Sequence, residues 1–343
     1  MRKRVALGLV TGLILVSAHR LAHACAGCSN PNLPTARSEI QALEPFKLSI
    51  ALNLTGTTMR VTHSEHCPDI GPICQVRDEP PQIHDQRFYV GELRPIVAFG
   101  LMEGLALEAQ LPLRLVKTTV VFRRLDGTPF EPDYRNIHHR NETLYGFADP
   151  WLLGRVTVPL GGLSLTARAG LGLPVGSTEE NPFARGRAGL EHQHIQFGTG
   201  TFYPVFALDA STEVGAFRLS AYAQTLLFLY ENGHGYQAGN RYMGGLAAET
   251  DVTKGFRVGL GTDLLNEQPE RWDGVVQQDG NVGRTDWLVG GSASHVFGET
   301  TVSLSVKVPV YQQFVEVETH HDDADPGQLT YPAIVNLGVE RRF

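Results

Sequence analysis

Apolar and polar residues alternate along most of this chain. In "LALEAQLPLRL", Leu105, Leu107, Ala109, Leu111, Leu113 and Leu115 share one face, and Glu108, Gln110 and Arg114 the other. In "LSLTARAGLGL", Leu163, Leu165, Ala167, Ala169, Leu171 and Leu173 oppose Ser164, Thr166 and Arg168. In "TVSLSVKVPV", Val302, Leu304, Val306, Val308 and Val310 oppose Ser303, Ser305 and Lys307, and the closing "YPAIVNLGVERRF" repeats the pattern to its last residue. A period of two means a strand with one apolar and one polar face. The pattern predicts twelve strands, over 46–61, 86–102, 105–123, 143–160, 163–176, 194–212, 217–231, 236–253, 256–268, 285–298, 300–314 and 331–343. Several exceed the roughly five or six residues of an ordinary soluble strand and reach the roughly 9–11 residues a membrane-crossing strand needs.

The connections divide into two kinds. Tight turns are expected at Glu103-Gly104, Gly161-Gly162, "EVGA", "KG" and "GE", whereas long polar loops span 62–85, 124–142, 177–193, 269–284 and 315–330, with one short member at 232–235. Bacterial outer-membrane barrels have this asymmetry, with short periplasmic turns and long extracellular loops. The fold expected is therefore all-β, a transmembrane antiparallel barrel of about 12 strands. A soluble sandwich is the alternative, because alternation alone does not say what the apolar face touches. Phe343 resembles the terminal aromatic of outer-membrane barrel proteins, through which the barrel assembly machinery recognises the last strand.

The N-terminus fits export to the cell outer membrane of a Gram-negative cell. "MRKR" followed by "VALGLVTGLILVSA" and "AHA" at 22–24 reads as a signal peptide over 1–24. A lipid anchor on Cys25 is an alternative, although Ala22 stands where that motif usually has leucine. Residues 25–45 are then a periplasmic segment and 46–343 the barrel. The signal carries Arg2, Lys3, Arg4 and Arg20 and no acid, so its removal takes the formal charge from −7 to −7 − 4 = −11. That balance argues against nucleic acid as a partner and leaves outer-membrane lipid and small solutes.

Alternation also assigns the lumen. Glu92, Arg94, Glu108, Arg114, Asp149, Arg155, Arg168, Arg218, Arg241, Glu249, Asp251, Arg257, Asp263, Lys307, Glu340 and Arg342 are expected to face inward and line a pore. Charges of both signs there either pair structurally or form a polar conduit.

Three motifs fall in order on successive strands: "GFADPWLLGRVTVPL" (146–160), "LGLPVGS" (171–177) and "FGTGTFYP" (197–204). They resemble those of the outer-membrane transporter family labelled for the MetA pathway of phenol degradation, with Ala148 where that family usually has glycine. The resemblance implies a barrel that passes small organic molecules. The expected function is thus an outer-membrane channel for passive passage of small solutes, organic compounds among them. The alternatives are a structural or interaction barrel of a cell-surface assembly, or metal-ion binding or uptake through His-rich extracellular loops.

The metal reading rests on His63, His66, His138, His139, His320 and His321 beside Asp322 and Asp323, all in predicted extracellular loops. Imidazole and carboxylate suit a divalent Zn, Cu or Ni ion. Polar loops also collect such residues by composition, and His192 and His194 lie in or beside another of these loops. No other cofactor is expected. Cys67 and Cys74 share the first loop and are expected to form a disulfide in an oxidising compartment. Cys25 and Cys28 in "CAGC" are read first as a second disulfide, with a metal or redox pair as alternatives. Catalysis is not expected, since no Gly-x-Ser-x-Gly or phosphate loop occurs and Ser294 and His295, adjacent in sequence, point to opposite faces.

Overall fold

A computed structural model describes residues 30–33, 43–65, 82–132, 136–277, 280–313 and 329–343. The four cysteines, His66, His320, His321, Asp322 and Asp323 lie outside the described residues.

The strands are β1 (Leu48–Glu65), β2 (Gln82–Met102), β3 (Leu105–Gln110), β4 (Leu113–Arg124), β5 (Pro129–Phe130), β6 (Glu142–Phe147), β7 (Trp151–Leu160), β8 (Leu163–Gly172), β9 (Tyr203–Val214) and β10 (Phe217–Leu226). They continue as β11 (Tyr236–Gln237), β12 (Arg241–Thr253), β13 (Phe256–Glu267), β14 (Arg271–Trp272), β15 (Arg284–Phe297), β16 (Thr300–Gln313) and β17 (Ile334–Arg342). A single-turn helix, α1 (Pro182–Arg187), lies between β8 and β9. Neighbours pair antiparallel, and β1 pairs with both β2 and β17, which closes the sheet into a barrel. Because β3 with β4 and β6 with β7 each form one interrupted stave, the wall has twelve staves.

The interruptions are aligned. Pro95, Pro112 and Pro150 fall on three successive staves and Pro204 on β9, one stave beyond β8, and their carbonyls accept from Leu111, Ala148, Leu173 and Leu227 at 2.8–3.1 Å. Proline has no N–H to give the ladder, and Pro112 and Pro150 lie in the breaks of their staves, whereas Pro95 and Pro204 stay within β2 and β9. At the break around Pro150 the inward parity changes. Glu142, Leu144 and Gly146 face in before it, and Trp151, Leu153 and Arg155 after it, with Asp149 buried at the switch.

The outer face carries a belt of exposed aliphatics, including Leu54, Val97, Leu107, Leu152, Leu208, Leu246, Leu260 and Leu337. Exposed aromatics bound it on both sides. Phe46, Phe99, Phe217, Phe297 and Phe343 ring the end with the short turns, and Tyr89, Tyr145, Phe206, Tyr242, Trp287 and Tyr311 ring the other. Ten residue steps separate Tyr89 from Phe99 and Trp287 from Phe297. At ~3.3 Å per residue and a tilt near 40° this spans roughly 25 Å, the height of an outer-membrane apolar band. The protein is an outer-membrane barrel. Phe343 completes the closure by exchanging backbone hydrogen bonds with Leu48, and Arg341, which interrupts the apolar stripe, lays its guanidinium over the Phe343 ring at 5.1 Å.

Several predicted boundaries move, three of them inward by five residues or more. The stave expected over 194–212 begins at Tyr203, that expected over 217–231 ends at Leu226, and that expected over 236–253 begins at Arg241. Several of the displaced residues turn inward instead, while Phe202, Leu229 and Tyr230 stay exposed. Ile195 and Phe197 pack against Met59, Val61, Phe88, Val90 and Val116 inside the barrel, while Phe228, Tyr236 and Trp272 form a second internal cluster with Trp151 and Tyr203.

Candidate functional site

Residues 173–202 fold back into the extracellular half of the barrel as a plug. The three quoted motifs meet there. The Asp149 carboxylate accepts from the Gly176 N–H at 3.0 Å, the Thr199 N–H at 2.8 Å and the Thr199 hydroxyl at 2.7 Å. Gly176 and Gly198 pass so closely that a Cβ on Gly198 would lie 2.4 Å from the Gly176 carbonyl oxygen. Glycine is required because backbone meets backbone.

A second segment enters the lumen. Pro31 is fully buried, and its carbonyl and that of Gln196 both accept from the Arg114 guanidinium. Asn32 donates to Glu267 at 2.6 Å from the opposite wall. Arg114 therefore binds both this segment and the plug. Its charge is met by carbonyl dipoles, whereas most other inward cations meet carboxylates.

Of the charges predicted to face inward, those on strands lie on the less exposed face of their strands except Asp251, which is exposed, and Asp149 lies in the break before β7. Arg94 bonds Glu92 at 2.6 Å and Gln110 at 3.0 Å, and Gln110 bonds Glu108 at 2.7 Å. Arg168 continues the ladder to Glu108 at 3.4 Å and to Asp209, with Arg155 4.0 Å from Glu108. Lys307 pairs with Asp263, which also accepts from Tyr222 at 2.9 Å. Arg241 pairs with Glu267 at 3.1 Å, Arg218 with Glu213 at 2.8 Å and Arg257 with Asp251 at 2.9 Å. Glu340 takes Arg342 at 3.2 Å and Ser49 at 2.8 Å. Glu249 lines a cavity of about 240 Å³ with Tyr222, Asp263, Ser305 and Lys307. A cavity of about 230 Å³ at the periplasmic mouth is lined by Asp251, Arg257, Glu340 and Arg342.

The expectations did not include Asp209, Glu267, Arg284 and Asp286, which also face inward, and the same period of two marks them. They also did not foresee an apolar lumen. Met59, Val61, Phe88, Val90, Val116 and Leu288 line the extracellular half, where strands that meet a plug need apolar residues on their inner face as well.

Of the proposed metal ligands, His138 and His139 stack at 4.0 Å, and His139 also contacts the His84 ring at 4.5 Å. The backbone of His63 lies opposite His84 in the β1–β2 register. The imidazoles beside His138 are His192 and His194, from the plug, at 4.6 and 4.7 Å.

No family model matches the chain, and no curated protein matches it. Among solved structures the chain is similar to an outer membrane channel from Pseudomonas putida F1, with 12% identity, a TM-score of 0.58, and coverage of 90% of this chain and 100% of that one. Weaker likenesses are a FadL homologue of Pseudomonas aeruginosa (10% identity, TM-score 0.41, covering 87% and 90%) and the toluene transporter TbuX of Ralstonia pickettii (10%, 0.38, covering 88% and 90%). At 12% identity and a TM-score of 0.58 the first of these likenesses supports the fold alone, a barrel of the outer-membrane type.

Proposed function

We propose that this barrel is an outer-membrane channel for small solutes, organic compounds among them, gated by the 173–202 plug. The observation that carries the reading is the latch. The segment is held inside the barrel by side-chain contacts, those of Asp149 and Arg114 among them, and by the packing of Ile195 and Phe197, rather than by continuous sheet pairing. A permanent core needs no such device, whereas a gate needs a docked state that a few kcal/mol can undo. The apolar patch of Met59, Phe88, Val90 and Val116 beneath the plug suits an apolar solute, and the polar lower lumen suits passage onward in water. The resemblance of 146–204 to the MetA-pathway transporters supports the same solute class.

Planar-bilayer conductance and liposome swelling test this. Wild type is expected to show small, infrequent openings, and Asp149→Ala larger and longer ones. Ion selectivity is expected to be weak, because the lumen charges are mixed and paired. If neither protein conducts nor admits solute while both retain the barrel, the rival reading of a closed surface scaffold is the better one.

A further inference from the structure

We propose that His138, His192 and His194 form a binding site for one divalent transition-metal ion, of the zinc, copper or nickel class, that fastens the plug to the neighbouring extracellular loop. One ligand atom from each of the three lies within 4.8 Å of the others. In a tetrahedral zinc site with bonds near 2.0–2.1 Å, ligand nitrogens are about 3.3 Å apart, so closure needs side-chain rotation of about an ångström. His192 and His194 are buried, and they belong to a different segment from His138.

Several features prepare these imidazoles. The His192 Nδ1 lies 2.9 Å from the Leu190 carbonyl, so Nδ1–H donates there and Nε2 keeps the lone pair that binds a metal. The His192 N–H donates to the Ile137 carbonyl at 3.1 Å, which pins the two segments in register. The Asn136 side chain accepts from the His138 and His139 N–H groups at 2.8 and 2.7 Å, fixing the turn that presents His138. A cavity of about 30 Å³ opens beside His138, His139 and His194, large enough for a water as fourth ligand. Arg140 is the nearby cation, and Glu142 at 3.6 Å and Glu191 at 3.4 Å offset it. An all-imidazole set with an open position favours zinc, copper or nickel over calcium or magnesium.

The test uses the full-length barrel in detergent, stripped with a chelator and titrated with Co²⁺, then Zn²⁺. One Co²⁺ per barrel with a visible ligand-field band, displaced by Zn²⁺, is expected. His192→Ala/His194→Ala is expected to weaken binding by at least about a hundredfold, whereas His320→Ala/His321→Ala leaves it unchanged. Unchanged affinity in the first variant, loss in the second, or wild-type binding weaker than about 0.1 mM overturns the site. Should the first variant lose its heat-modifiable mobility, Cu²⁺ electron paramagnetic resonance of the wild type decides. Three coordinating imidazole nitrogens support the assignment, and fewer overturn it.

Discussion

Glu270 shows how single residues set the behaviour of the extracellular caps. It lies in the connection between β13 and β15, buried under Trp272 and Tyr236, and accepts from the Trp272 indole and the Asn281 N–H, both at 3.3 Å. Burial, with a smaller push from Glu267, raises its carboxyl from the usual range to about 7, against the hydrogen bonds that lower it. The folded state thus holds a proton that the unfolded chain releases near 4.5. Its stabilisation is complete below that lower value and is lost as pH rises through about 7. Hydrogen exchange in 268–277 is therefore expected to speed up between pH 5 and 8 in the wild type, beyond the intrinsic base dependence of exchange, and much less in Glu270→Gln. An equal response in both proteins would show that another group governs this cap.

At the scale of elements, the sequence was most readable where one face of a strand meets lipid and the other meets water. Stave β16 keeps that contrast, and its limits, Thr300–Gln313, match the predicted 300–314 closely. Legibility failed where the chain leaves the wall but keeps an alternating pattern. In 194–202, His194, Gln196 and Gly198 alternate with Ile195 and Phe197, which mimics a stave. The glycines decide otherwise. Gly200 adopts a positive φ of 69° and Gly198 presses on Gly176, so the segment turns into the lumen. The inward charges were legible from parity, but their partners were not, because cross-strand register depends on turns and bulges. Nor could spacing bring His138 to His192, which are joined only by the plug's return. The latch itself yields a prediction. In Gly198→Ala the new methyl would meet the Gly176 carbonyl and the Asp149 carboxylate at 2.4–2.6 Å. Overpacking of this kind costs about 1–3 kcal/mol, which shifts the docking equilibrium constant by roughly five- to 150-fold. Protease cleavage within 173–202 on intact vesicles should rise accordingly, while Gly233→Ala, with no atom within 4 Å of its new methyl, should not change it.

For the whole molecule, the decisive relation is between the barrel and the bilayer. Leu246 on β12 is 62% exposed and points outward about midway between the two aromatic girdles, four residues from Tyr242. Its neighbour Ala247, on the opposite face, is half-buried. In a soluble β protein, arginine at an exposed position such as 246 would cost little. In a membrane barrel, a guanidinium on the lipid face at mid-depth costs about 2–4 kcal/mol, falling to about 0–1 near an interface. Leu246→Arg should therefore lower the yield of heat-modifiable barrel on refolding into vesicles. Phe217→Arg, at the girdle on the short-turn side, should do so far less. Arg341 already sits at that girdle beside Phe343, which shows that the native chain tolerates a cation at this depth. The comparison uses two exposed apolar residues and separates them only by depth. Equal refolding of both variants would mean that lipid does not surround the apolar belt, and would overturn the outer-membrane placement on which the channel reading depends.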